Sequence, residues 1–179
     1  ARNEEHNIGT CLESIRRQKY SPLEVIVLED NSGDNTSGIA ERYAEKYDFV
    51  NILRGRELPA GWTGKNWACS QLAHASTGEI IIFTDADNTY SGIAVRNTAA
   101  FMQKYRLDML SAFPEQKTFT FPEKLLIPMI DLIIYSFFIL WSSLKLKNKA
   151  FAAANGQWLA FRRQAYFECG GHESVKSKI

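Results

Sequence analysis

Four short runs of β-branched and large apolar residues, each set between stretches with helical spacing, constrain this chain more than any other feature. They are Val25-Ile26-Val27-Leu28, Val50 to Leu53, Glu79 to Phe83 and Asp108 to Phe113. Runs of this length with few polar interruptions suit strands covered on both faces. Between them, Ile8, Leu12 and Ile15 predict a helix over Asn7 to Arg17. Ile39, Ala40, Tyr43, Ala44 and Tyr47 predict a second, entered through the turn-forming and capping residues Asn31-Ser32-Gly33-Asp34-Asn35-Thr36. A loop with Gly and Pro (Leu58 to Gly64) leads to a third helix over Lys65 to Ala75, and a fourth spans Gly92 to Tyr105. Strands alternating with helices at this spacing imply an α/β fold, a Rossmann-like, mainly parallel sheet flanked by helices. Ligands of such sheets gather at the carboxyl ends of the strands, where Asp30 and Asp85 both fall.

The third run ends in Thr84-Asp85-Ala86-Asp87-Asn88. Residues two apart in extended backbone point to the same side, so Asp85 and Asp87 are expected to converge on one hard cation. Mg²⁺ or Mn²⁺, shared with phosphate oxygens, suits a site with only one or two carboxylates. The plain alternative is a pair of solvated aspartates opening a turn.

Composition limits the partners. A chain of 179 residues that is 45% hydrophobic can bury the core of one domain. With 21 Lys and Arg against 20 Asp and Glu, the net charge of +1 argues against a polyanion binder, and nucleic acid is not an expected partner. Cys11, Cys69 and Cys169 show no spacing of a disulfide framework or structural zinc site and fit a reducing compartment. The polar start Ala1-Arg2-Asn3-Glu4-Glu5 and the stop at Lys176-Ser177-Lys178-Ile179 suggest an excerpt truncated at both ends.

In order and spacing, Ala1-Arg2-Asn3-Glu4-Glu5, then Val25 through Thr36, then Thr84-Asp85-Ala86-Asp87, resemble the family 2 glycosyltransferases of GT-A fold. Asn155-Gly156-Gln157 and Gly170-Gly171-His172-Glu173 extend the likeness over nearly the whole chain. Gly61-Trp62-Thr63-Gly64-Lys65-Asn66-Trp67-Ala68 is most similar to the bacterial branch acting on carotenoid- or hopanoid-type lipids. The resemblance implies one catalytic domain over residues 1–179, with a nucleotide-sugar-binding part to about residue 113 and an acceptor- and membrane-proximal part from 114. It also implies that Asp30 accepts from the donor's base, that Arg2 and Glu4 line the same pocket, and that Lys65 meets the diphosphate. Asp87 would hold the metal, with Asp85 on metal or ribose, while Asn155, Gly156, Gln157 and His172 would lie on the acceptor side. The family aspartate is replaced here by Glu29. A Glu-Asp pair supplies the family's catalytic base beyond the Gly-Gly segment, and within residues 1–179 Glu173 is the substitute candidate. The implied reaction is inverting transfer of a sugar from a UDP-type donor to a hydroxyl or carboxyl of a lipid. A sugar nucleotidyltransferase and a non-catalytic nucleotide-sugar-binding scaffold are the alternatives.

Leu125 to Trp141 reads LLIPMIDLIIYSFFILW. As a helix it would be roughly 25 Å long, short of a hydrocarbon core of roughly 30 Å. Asp131, Tyr135 and Ser142 form one polar stripe, and Lys145, Lys147 and Lys149 follow within reach of anionic headgroups. An in-plane or partly inserted helix at the cytoplasmic face of a membrane is therefore expected. A helix buried in a soluble core is the competing reading.

Overall fold

The computed structural model describes residues 1–113, 115, 118, 120–137 and 155–178. Helix α1 (Ile8–Arg16) precedes strand β1 (Val25–Glu29), followed by α2 (Thr36–Lys46), β2 (Val50–Arg54), α3 (Gly64–Ala75), β3 (Ile80–Thr84), α4 (Ala94–Tyr105) and β4 (Met109–Ser111). Then come α5 (Phe121–Phe137), β5 (Trp158–Arg162), a short α6 (Arg163–Glu168) and a 3₁₀ turn, Gly171–Val175. The alternation expected through residue 111 is present, with element ends moved by at most three residues.

β1 and β2 pair in parallel across the α2 connection, in the register Val25↔Val50 through Glu29↔Arg54. Val27, Leu28 and Glu29 are consecutive and all buried, as expected of a strand covered on both faces. Ala1 adds to this sheet: its nitrogen donates to the Leu28 carbonyl at 2.6 Å, and its carbonyl accepts from the Asp30 N–H at 3.0 Å. That is the bonding pattern of a parallel neighbour. Ile8, Leu12, Val27, Ala40 and Val50 close the core between α1, α2 and these strands, each large side chain contributing roughly 1.5–3 kcal/mol by leaving water.

The second sheet runs β3-β5-β4, with β5 antiparallel to both neighbours. β3 and β4 run in the same direction but do not bond each other, so every hydrogen-bonded pair of this sheet is antiparallel and the expected parallel pairing holds only for β1 and β2. Ala73, Ile81, Phe83 and Tyr166 form its buried core, flanked by Leu159 and Phe161. α5 starts earlier than the apolar run suggests, because Thr120 and Glu123 form a reciprocal cap. The Glu123 N–H donates to Thr120 Oγ1 at 3.4 Å, and the Thr120 N–H donates to Glu123 Oε2 at 3.1 Å. Phe121, Leu125, Leu126, Met129 and Leu132 are exposed along α5. No helix among the described residues is long and apolar enough to cross a membrane. Of the expected polar stripe and lysines, Ser142, Lys145, Lys147 and Lys149 lie outside the described residues.

Candidate functional site

Asp30 and Asp85 each stand one position beyond a strand, β1 and β3 respectively. The extended-backbone argument for Asp85 and Asp87 does not apply as expected: the strand ends at Thr84, and Ala86-Asp87 form a turn. Both carboxylates lie near enough to Tyr90 to act electrostatically on its phenol. Burial, reinforced by the negative charge of these aspartates, pushes that phenol far above its ordinary range. It therefore stays protonated, contacting Thr84 Oγ1 and donating to the Asp85 carbonyl at 3.3 Å.

Lys65 lies in the first turn of α3, whose N-cap Thr63 accepts from the Asn66 N–H. Its ammonium reaches both carboxylate oxygens of Asp85, at 2.8 and 3.0 Å. The side chains are 61% and 31% exposed, so the pair sits at the floor of an open site rather than in the core. Among the described residues no cation forms an ion pair with Asp87, which is exposed. Asp85 and Asp87 offer only carboxylate oxygens, and no group of three or more His, Cys, Asp or Glu converges among the described residues. Such a pair suits a hard cation that keeps water and phosphate oxygens as its remaining ligands. Asp87 is open to such a cation, Mg²⁺ or Mn²⁺, whereas Asp85 is already paired with Lys65.

Two thiols, Cys11 buried and Cys69 half-buried, link this corner to the Asp30 side. Cys11 feels Asp87 and Glu4, and burial first, then those charges, push it up to about 12. Cys69 feels Lys65 and Asp85, and burial pushes it up to about 11. Both stay protonated at neutral pH. Glu4 donates its N–H to Thr36 Oγ1 at 2.7 Å and accepts from Asn7 Nδ2 at 2.9 Å, while Arg2 is exposed beside it. Gly55, following β2, lets the chain pass Asp30: a Cβ there would lie 3.1 Å from Asp30 Oδ1.

Glu29 is buried and works for the fold. It accepts from the Ser32 N–H at 2.6 Å and from Arg54 Nη1 at 3.2 Å, its cross-strand partner. Burial alone would raise its carboxyl, but the Ser32 and Arg54 contacts outweigh that and hold it below the usual range.

From the far end of the chain, the structure brings Gly156 and His172 to Lys65. A Cβ on Gly156 would sit 3.6 Å from Lys65 Nζ. Asn155 is tied to β4 through its N–H, which donates to Ser111 Oγ at 2.7 Å, and its Oδ1 accepts from the Gln157 N–H at 2.9 Å. The Gln157 carbonyl accepts from Thr84 Oγ1 at 3.2 Å. His172 stacks edge-on against Phe83 at 4.8 Å, and its Nδ1 is 2.8 Å from the Tyr166 hydroxyl. Burial, then the charge of Lys65, holds it below the ordinary imidazole value, so it is neutral at pH 7. Asn66 fixes this turn by donating through Nδ2 to the Val175 and Lys178 carbonyls, both at 2.8 Å. Glu173 is exposed on the same turn. Asp87, Asn88, Tyr90, Phe113, Gln157 and Trp158 line an adjoining cleft of about 820 Å³.

Tyr90, Asn66 and the two thiols were not among the expected site residues. Only Asn66, inside the Gly-Trp-Thr-Gly-Lys-Asn segment, carried a sequence signal.

The glycosyl transferase family 2 model matches residues 1–137. The 4,4'-diaponeurosporenoate glycosyltransferase of Staphylococcus aureus strain MRSA252 is 32% identical over 189 residues, taking in 100% of this chain and 46% of that protein. The protein of strain USA300 matches to the same extent. The chain thus spans about half the length of the curated relatives it matches. Among solved structures, the mannosyltransferase PcManGT from Pyrobaculum calidifontis in complex with GDP-Man and Mn²⁺ has a TM-score of 0.73 at 22% identity, covering 96% of this chain and 45% of that one. TarS 1–349 of S. aureus in complex with UDP has a TM-score of 0.66 at 21% identity, covering 99% and 50%. At these identities the likeness shows the fold, GT-A. The match over residues 1–137 includes both strand-end aspartates and the lysine between them, and with it the chain belongs to family 2 of the glycosyl transferases.

Proposed function

We propose that this chain is the donor-binding part of an inverting glycosyltransferase that moves a sugar from a nucleoside-diphosphate sugar, UDP-linked in the first instance, to a hydroxyl or carboxyl of a lipid. The observation that carries the reading is the grouping at the strand ends: Asp30 after β1, Asp85 and Asp87 after β3, and Lys65 on Asp85. Asp30 would accept from the imide N–H of the base, with Arg2 and Glu4 along the same pocket. Lys65 would face the diphosphate. Asp87 and Asp85 would hold Mg²⁺ or Mn²⁺, which when bound offsets charge on the departing nucleoside diphosphate. Neutral His172 beside Lys65, together with Asn155, Gly156 and Gln157, would border the acceptor. A carboxylate within hydrogen-bond reach of the acceptor must take its proton as the anomeric carbon inverts. Glu173 is the candidate within residues 1–179, and a Glu-Asp pair later in the full protein is the other.

The lipid acceptor is supported by the name of the S. aureus relatives and by the exposed apolar residues of α5. That face would lie in the cytoplasmic surface of a membrane, with Lys145, Lys147 and Lys149 meeting anionic headgroups. Flotation with anionic liposomes, which a Lys145/Lys147/Lys149→Ala variant should weaken, tests this part. A monodisperse protein that never floats would refute it.

Calorimetry tests the donor site: UDP with and without Mn²⁺, on wild type and Asp87→Ala. Binding should depend on the metal and fall about tenfold or more in the variant, the scale of a lost charge-assisted contact. Equal affinity in all four titrations would overturn the assignment.

A further inference from the structure

The cation on Asp85 is a side chain of the protein itself. Among the described residues, Asp85 is the one carboxylate that Lys65 pairs with, and the ammonium spans both of its oxygens at 2.8 and 3.0 Å. Gly156 approaches the ammonium, the Cys69 thiol and His172 ring feel its charge, and the side chain is otherwise open to solvent. Asp87, one turn residue away, has no such cation among the described residues. The two carboxylates are therefore unequal before any metal arrives. Asp85 is neutralised and Asp87 is open.

Resting on the proposed donor site, we infer that Lys65 is a displaceable counter-cation. A divalent metal entering at Asp87 gains Asp85 only by expelling the ammonium, and the expelled ammonium becomes the positive charge offered to the donor diphosphate. Two cations within a few ångströms of one carboxylate repel each other strongly in a partly desolvated site. Metal alone should then bind weakly, because it must break an ion pair and confront a nearby cation. Metal arriving with a diphosphate should bind well, since the diphosphate supplies Lys65 with a new anion. The site would favour the metal–nucleotide pair over either component. A lysine can do this because its ammonium is a point charge on a flexible stem, not locked into a bidentate fork.

The two roles give Lys65→Met opposite effects in two titrations, which a simple structural or phosphate-binding lysine would not. Mn²⁺ alone, followed by electron paramagnetic resonance of the free ion, should bind Lys65→Met about tenfold more tightly than wild type. UDP at saturating Mn²⁺, followed by calorimetry, should bind it about tenfold more weakly, the scale of one charge-assisted contact. In an Asp85→Asn background, Lys65→Met should lose most of its effect on Mn²⁺ alone, because the pair it would break is already gone. Circular dichroism verifies that each variant is folded, and Lys65→Arg, which keeps the charge, should show no gain for Mn²⁺ alone. Wild type binding Mn²⁺ and UDP while Lys65→Met binds Mn²⁺ no more tightly would overturn displacement and leave the donor site standing. Failure of every form to bind Mn²⁺ or UDP would overturn both.

Discussion

A methyl group on Gly171 would lie 2.5 Å from Cζ of Tyr166. The glycine passes directly over the ring, at a φ of +48°, in the turn that presents His172. Gly171→Ala must therefore move the Tyr166 ring, which is only 2% exposed, and hold a left-handed alanine as well. The expected loss is about 2–4 kcal/mol, overpacking and backbone strain together. Thermal unfolding measures it, and a variant as stable as wild type would show that the ring has room to shift.

His172 should give stability a dependence on pH well above the carboxylate range. Its folded value is depressed, by burial first and Lys65 second, from an ordinary 6.5. Above that value both folded and unfolded forms are neutral, and the group contributes nothing. As pH falls below about 6.5 the unfolded chain takes up a proton that the folded one refuses, so stability declines, and the decline ends once the folded value is passed. His172→Gln should flatten this slope in urea unfolding between pH 7 and 5. Glu29 and Asp34 act later and with a distinct cause: both are depressed below 4.5 and 3.8, and the stability they contribute is lost only as pH falls beneath those values.

Glu29 should tolerate loss of charge better than loss of length. Glu29→Gln keeps an acceptor for the Ser32 N–H and weakens only the contact with the exposed Arg54, for an expected cost of about 1 kcal/mol. Glu29→Ala removes both and leaves a cavity, for about 3 kcal/mol. Urea unfolding distinguishes the two, and equal losses would mean that the Arg54 charge dominates.

Arg106 ends α4 with a φ of +53°, and the Leu107 N–H returns to the Met102 carbonyl at 2.9 Å. This is a Schellman turn closed by a residue with a Cβ, where glycine is preferred. Arg106→Gly should stabilise the protein by about 0.5–1 kcal/mol, the relief of left-handed strain less the entropy glycine adds to the unfolded chain. A lower melting temperature would show that the exposed guanidinium makes up for the strain.

Elements whose apolar residues repeat over two or more turns, such as α1, α2 and α4, were legible in the sequence, as were the dense runs of β1 and β3. β5 was not. Its five residues, Trp158 to Arg162, follow the turn dipeptide Asn155-Gly156 but include the polar Arg162 and run directly into α6 with no break between. The start of α5 was missed for a different reason. Thr120-Phe121-Pro122-Glu123 is a capping sequence, but the strongly apolar run after it drew the boundary inward. In the site, strand-end position marked Asp30 and Asp85. What could not be read was the pairing of Lys65 with Asp85, which depends on how α3 packs against β3. Glu29 shows the same limit, since its role follows from the register that sets it opposite Arg54.

The insertion of β5 between β3 and β4 sets an order of events during synthesis. Both outer strands leave the ribosome first, and neither bonds the other in the finished sheet. Until residue 158 emerges, each keeps an edge that invites pairing with another chain. Nascent chains stalled before that point should therefore need chaperones more than chains a few residues longer, because contacts between residues distant in sequence close last.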